Sequence, residues 1–253
     1  MIDTHAHLYL CKPDVATLVA TSQAEGVGAI VNVATDLRSS ATVVYQASQF
    51  PGYVFPTAGI HPCTPFEPDE IPRLRAFLDT YRTAIVAIGE IGLDLYRVNL
   101  PLVDQILRFE AQLALAREYD LPVIIHSRQS DAEMLCVVLQ YPDVRKVFHC
   151  FSSGPAFLAE VQHPNVYFSF TGNVTYDNPH GVAAMQQMRL SQIMLETDCP
   201  YLTPKSQRGQ ENHPGNIPLI AAAVAQHLDR PLSEIQSETT ATARRFFGLP
   251  CPL

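Results

Sequence analysis

Seven side chains of the kinds that bind metal ions stand at or just past the ends of apolar runs in this chain: His5, His7, His61, Glu90, His126, His149 and Asp198. The opening stretch Met1-Ile2-Asp3-Thr4-His5-Ala6-His7 reads as a strand. Strand side chains alternate between faces, so His5 and His7 point the same way and can share one ion, with Ala6 on the opposite face. The whole set is sufficient for two divalent ions. Mixed imidazole and carboxylate ligation suits Zn²⁺, Mn²⁺ or a related transition metal. Mg²⁺ prefers more oxygen ligands and is the less expected third choice. Two ions about 3.5–4 Å apart can clamp a phosphoryl oxygen, and coordination lowers the pKa of bound water to about 7. The chemistry these residues suggest is therefore hydrolysis at neutral pH.

The positioning elements can be read in order. Strands are expected at the first segment, Val27 to Val33, Val54 to Ile60, Ala84 to Ile88, Pro122 to Ile125, Arg145 to Phe148, Val166 to Phe170 and Gln192 to Leu195. Helical patterns run from Pro13 to Glu25, Leu37 to Phe50, Pro68 to Tyr81, Leu102 to Tyr119, Asp131 to Leu139, Pro155 to Val161, Ala183 to Met188, Ile217 to Leu228 and Leu232 to Phe247. Short apolar strands separated by helices imply parallel pairing with helices outside. Eight such units in 253 residues match a (β/α)8 TIM barrel formed by one domain, residues 1–253. A doubly wound open sheet is the alternative, but no Gly-x-Gly-x-x-Gly follows the first strand. In a barrel the strand C-termini share one mouth, where active sites form. His163, His180 and His227 fall in loops or helices and are expected at the surface.

Composition narrows the function classes. Net charge is -8, with only three lysines, Lys12, Lys146 and Lys205. No basic tract exists, so contact with nucleic acid must be local. There is no signal-like start and no apolar run of about 18 residues, so a cytoplasmic protein without a membrane span is expected. The six cysteines are scattered, without Cys-x-x-Cys, as expected of reduced thiols. Cys63, Cys150 and Cys199 adjoin site residues and are read as packing groups.

The segments IDTHAHL, AGIHP, AIGEIGLDLY, PVIIHSR, FHCFSSG, LETDCPYLTP and RGQENHP together resemble the signature segments of the TatD family of metal-dependent deoxyribonucleases, in the right order from residue 2 to about residue 218. The family belongs to the amidohydrolase-type barrels. The resemblance implies cleavage of phosphodiester bonds in DNA. It also implies that His5 and His7 bind one metal, Glu90 bridges two, His126 and His149 bind the second, and Asp198 completes the first. Asn212-His213-Pro214 departs from the usual Asn-Glu-Pro or Asn-Gln-Pro and touches the substrate loop.

The residues agree with this independently of the family. Related barrels often bridge two metals with a carbamylated lysine after the fourth strand; here that position offers Glu90, whose two oxygens can bridge. Asp198 could also accept the proton of an attacking water. Glu196 shares its strand face and either orients a ligand or forms an ion pair at the rim. His61 is a candidate phosphate donor or proton shuttle, and Arg128 and Arg208 could fork onto phosphates. Asp94 and Tyr96 could line the mouth. An acidic chain must grip DNA through few contacts. Exonuclease action on single-stranded or frayed ends is therefore expected, from the 3′ end by family resemblance, with no obligate protein partner. The competing reading is a two-metal hydrolase of a small amide, ester or lactone. Phosphate-binding arginines at the mouth would favour the first, and a closed apolar pocket the second.

Overall fold

Runs such as Ala29–Asn32 and Val123-Ile124-Ile125 are rich in β-branched residues and buried on both faces, the pattern of strands covered on both sides. In the computed structural model, which describes residues 1–97, 99–176 and 179–250, they form parallel strands. The strands are β1 Ile2–Ala6, β2 Ala29–Asn32, β3 Val54–Ala58, β4 Ala87–Asp94, β5 Val123–Arg128, β6 Lys146–Phe148, β7 Val166–Phe170 and β8 Ile193–Leu195. The helices are α1 Val15–Ala24, α2 Leu37–Gln49, α3 Glu70–Thr80, α4 Leu102–Tyr119, α5 Asp131–Val138, α6 Pro155–Val161, α7 Pro179–Met185, α8 Ile217–Leu228 and α9 Leu232–Phe247. Aspartate side chains cap two of them. Asp14 accepts from the Thr17 amide, and Asp36 forms a reciprocal capping box with Ser39.

Each strand pairs with the next in sequence, from β1 to β8. The ends meet through Thr4 Oγ1 to Leu195 O (3.0 Å), Asp198 N to His5 O (2.8 Å) and His7 N to Cys199 O (2.9 Å). The eight strands thus form the expected (β/α)8 barrel. Its main core lies between strands and helices, around Ile30, Ile88, Val123, Ile125, Phe148 and Phe168. A second cluster faces inward: Val31, Ala87, Ile124, Val147 and Met194 meet Phe246 and Phe247 at the end of α9. The bottom of the barrel is therefore filled with side chains, and polar groups converge only at the opposite end.

Three elements differ from the sequence reading by three residues or more at an end, and β5 is one of them, running to Arg128 instead of Ile125. The seventh helix runs Pro179–Met185 instead of Ala183–Met188. β4 runs Ala87–Asp94 instead of Ala84–Ile88, so Glu90 lies inside the strand. The cause is a bulge: Ile88 pairs with Val123 but Ile91 pairs with Ile125, three steps against two. Ala87 faces inward before the bulge, while Ile91 and Leu93 pack outward after it. The extra residue turns Glu90, Gly92 and Asp94 to the face of His126. Gly92 is required here, because its φ is +136° and a Cβ would lie 2.0 Å from the His126 carbonyl oxygen.

Candidate metal centre

The barrel brings the predicted residues together at its mouth. His5 comes from β1, Glu90 from β4 and His126 from β5, while His7, His61, His149 and Asp198 follow β1, β3, β6 and β8. Glu90 is the hub, buried at 3% exposure. Its Oε2 lies 3.5 Å from His5 Nε2 and 3.7 Å from His7 Nε2. Its Oε1 lies 2.9 Å from both His126 Nδ1 and His149 Nε2, and 3.5 Å from His61 Nε2. Asp198 Oδ1 completes the first half, 3.6 Å from His5 Nε2 and 3.4 Å from His7 Nε2.

The outer partners of the imidazoles decide which nitrogens carry lone pairs into the centre. His7 Nδ1 lies 2.8 Å from the Val33 carbonyl, which can only accept, so the Nδ1 proton is donated and Nε2 faces the centre bare. His126 Nε2 donates to Asp94 Oδ2 at 2.9 Å, which leaves Nδ1 for the centre. Asp94 is fixed in turn by the amides of Tyr96 and Arg97, at 2.9 and 2.7 Å. His149 Nδ1 faces Glu196 Oε1 at 3.4 Å, an ion-pair distance that falls short of a hydrogen bond. Glu196 is buried and also accepts from Cys150 N and from Ser169 Oγ at 2.6 Å. Its contact with His149 is thus an ion pair, buried instead of at the exposed rim. His61 differs from these three. Its Nδ1 accepts from the Cys63 amide at 3.0 Å, so its proton sits on Nε2 and points inward.

Asp198 has φ +57°, in the left-handed region that aspartate tolerates better than most residues. Buried groups that the sequence reading did not single out hold this turn. Asp3, which precedes a register shift in β1, accepts from Thr197 N (2.9 Å) and Thr197 Oγ1 (2.6 Å). Asn212 Nδ2 donates to Thr197 O at 2.8 Å and Tyr201 O at 2.6 Å. The sequence named Asn212 only within the RGQENHP segment, with no role attached to its side chain.

Two observations test whether this set fits divalent metal. Ligand bonds of about 2.0–2.2 Å place neighbouring ligand atoms about 2.8–3.6 Å apart, in geometries from octahedral to tetrahedral. The His5–His7 Nε2 separation of 3.2 Å and the carboxylate contacts given above fall close to that range. Secondly, lone-pair nitrogens and ionised oxygens face one another with little solvent. Burial alone would raise the Glu90 carboxyl. When the imidazoles are protonated, the charges of His149 and His61 and hydrogen bonds from His126 and His149 reverse this and hold it well below the usual carboxylate range; in the neutral tautomers a divalent cation would take the place of those protons. Asp198 is likewise held low against its burial, chiefly by His7. His5 Nδ1 is buried without a hydrogen-bond partner, an exception of the kind found at functional sites. A cation resolves the mutual repulsion of such a set. His5, His149 and Glu196 also lie within reach of a common ion, but Glu196 is already engaged by Cys150 and Ser169.

The substrate candidates are more dispersed. Arg128 does not reach into the centre; its guanidinium lies over the Tyr96 ring, 4.1 Å from the centroid. Arg208 is exposed and lines an open hollow of about 340 Å³ with Asn173, Tyr176, Leu202 and Thr203. His213 turns from the mouth toward Gly215 and the side chain of Glu25, so the departure at this position falls on the packing beside α1. Cys63, Cys150 and Cys199 are free thiols. Cys251 lies outside the described residues. His163 and His180 are exposed, and half-buried His227 contacts the Val174 carbonyl. No helix among the described residues is long and apolar enough to cross a membrane.

Comparison with known proteins agrees with the geometry. The family model described as "TatD related DNase" matches residues 2–248. The uncharacterized metal-dependent hydrolase YabD of Bacillus subtilis is 32% identical over 261 residues, covering 98% of this chain and 99% of that protein. The 3′-5′ ssDNA/RNA exonuclease TatD of Edwardsiella piscicida is 29% identical over 251 residues, covering 93% and 94%. The crystal structure of YJJV, a TatD homologue from Escherichia coli, superposes with a TM-score of 0.91 at 26% identity, covering 99% of this chain and 98% of that one. With its barrel, its mouth of histidines and carboxylates and a match along nearly its whole length, the chain belongs to the TatD-related DNase family of metal-dependent hydrolases.

Proposed function

We propose that this chain is a two-metal phosphodiesterase that removes nucleotides from the 3′ ends of single-stranded or frayed DNA. The observation that carries the reading is the fork of Glu90, with Oε2 directed at His5 and His7 and Oε1 at His126 and His149. In this assignment His5, His7 and Asp198 would hold one ion and His126 and His149 the second, with Glu90 shared between them. A bound pair of divalent ions would supply neutral-pH activation of water and neutralise charge on the phosphoryl group.

The chain's own groups do the rest. Asp198 directs Oδ1 at the two histidines, leaving Oδ2 to accept the proton of the attacking water. His61 is a donor by its tautomer, so it hydrogen-bonds a phosphate oxygen through Nε2–H instead of serving as a ligand. Asp94 and Glu196 keep His126 and His149 turned toward Glu90. Arg208, on the open hollow beside Asn173, receives a neighbouring phosphate. Arg128 braces Tyr96 with its face and can reach a phosphate with its edge. The open hollow with its arginine favours this reading over a small-amide or lactone hydrolase, which needs a closed apolar pocket. The 3′ polarity rests on the relatives named as 3′-5′ exonucleases.

The test is incubation of Mn²⁺-loaded enzyme with single- and double-stranded DNA labelled at the 5′ end. A ladder shortening from the 3′ end of the single strand is expected. Intact DNA alongside turnover of a small ester, amide or lactone would overturn the assignment.

A further inference from the structure

The acidic chain lacks the basic surface that usually gathers nucleic acid, so the affinity for a strand needs another source. Aromatic rings supply one, because every base has a π-face and stacking needs no positive charge. Four loops at the mouth each present one exposed apolar side chain: Leu10 after β1, Phe66 after β3, Tyr96 after β4 and Tyr201 after β8. Two of these are anchored to the centre itself. The Tyr201 amide donates to Asp198 O at 2.9 Å, and Asn212 holds its carbonyl at 2.6 Å. Its ring lies 6.4 Å from that of His7 and remains 54% exposed. On the other side, the Tyr96 amide donates to Asp94, which holds His126. Arg128 braces one face of the Tyr96 ring, yet the residue is 57% exposed.

Resting on the phosphodiesterase reading above, we propose that Tyr201 and the Tyr96–Arg128 pair are two base-stacking subsites on opposite sides of the metal centre. They grip the nucleosides that flank the scissile phosphate. One ring adjoins the His7–Asp198 half and the other the His126 half, so a strand threaded between them presents its phosphate to Glu90 and His61. The backbone at each ring is held by hydrogen bonds to residues of the centre, and Arg128 braces the Tyr96 ring, which lowers the entropic cost of binding. Recognition of this kind tolerates any base and requires an unpaired strand, since bases inside a duplex have no free faces.

The experiment compares two single strands of equal length and charge: an ordinary oligonucleotide and one whose 3′ half carries abasic tetrahydrofuran residues. KM and kcat are measured for Mn²⁺-loaded wild type, Tyr96→Ala, Tyr201→Ala and Tyr201→Phe. Binding of both strands is followed by fluorescence anisotropy. Wild type should prefer the base-containing strand. Each alanine variant should raise KM for that strand roughly tenfold, with kcat little changed, and shrink the preference by the same factor. Tyr201→Phe, which keeps the ring, should restore it. A wild type that treats the two strands alike, or alanine variants that keep its preference, would overturn the stacking subsites. If wild type cleaves neither strand, the phosphodiesterase reading itself fails.

Discussion

Asp94→Asn tests the tautomer logic of the centre most sharply. Asp94 Oδ1 accepts from the amides of Tyr96 and Arg97, and Oδ2 accepts from His126 Nε2. An asparagine keeps the two backbone bonds only by turning its oxygen to them, so its NH₂ faces His126. The imidazole must then move its proton to Nδ1, where it points at Glu90 Oε1, 2.9 Å away, and the lone pair for the second ion is lost. Loss of an outer partner of this kind costs about 10–100-fold in metal affinity, or about 1.4–2.7 kcal/mol. The alternative flip leaves two backbone amides beside a donor, which costs about 1–3 kcal/mol of folding stability. The assay is a chelator-competition titration with Mn²⁺ or Zn²⁺, read alongside thermal denaturation. One of two sites should weaken, while the His5–His7 site keeps its affinity. If both sites keep wild-type affinity and the melting temperature is unchanged, the assigned tautomer of His126 is wrong.

Other consequences can be measured directly. Asp198→Asn should keep the fold but lose most turnover, and Glu90→Gln should be as damaging and also lower metal content; near wild-type rates on DNA at saturating metal would contradict the roles given to them. DNA affinity of a catalytically dead variant at constant metal should fall with a log–log salt slope of about -1.4 to -2, because two or three phosphate contacts each contribute about -0.7. A slope steeper than about -4 would require a basic footprint that this chain does not have. At the bottom of the barrel, burial pushes Lys146 down to about 8, and its Nζ donates to Tyr141 O at 2.7 Å. Between that pH and its unfolded value of about 10.4, the unfolded chain binds the extra proton, so rising pH favours the native state. Wild type should therefore gain on the order of 3 kcal/mol relative to Lys146→Met between pH 8 and 10.5, read as denaturant midpoints. No relative gain would mean that Lys146 is better solvated than its burial indicates.

The barrel was legible because its strands are short apolar runs, each bounded by a helix pattern, and eight such units match a closed parallel sheet. The histidines and carboxylates were legible because they punctuate the ends of those runs. Position of β4 was not legible. A bulge is a matter of pairing between strands, and the run AIGEIGLD does not reveal which residue is extra. The stacking of Arg128 on Tyr96 was not legible either, because it joins the end of β5 to the loop after β4, two segments distant in sequence.

By itself the sequence determined which chemical groups reach the mouth, since alternation along β1 and the ends of β5 and β6 place their imidazoles whatever the loops do. The tertiary structure alone decided what each imidazole does there. Val33 O, Asp94 and the Cys63 amide select the protonated nitrogen of His7, His126 and His61, and the first and second of these partners lie 26 and 32 residues from the ring they set. A proton's place on a ring depends on the acceptor packed against it, and only the fold supplies that acceptor.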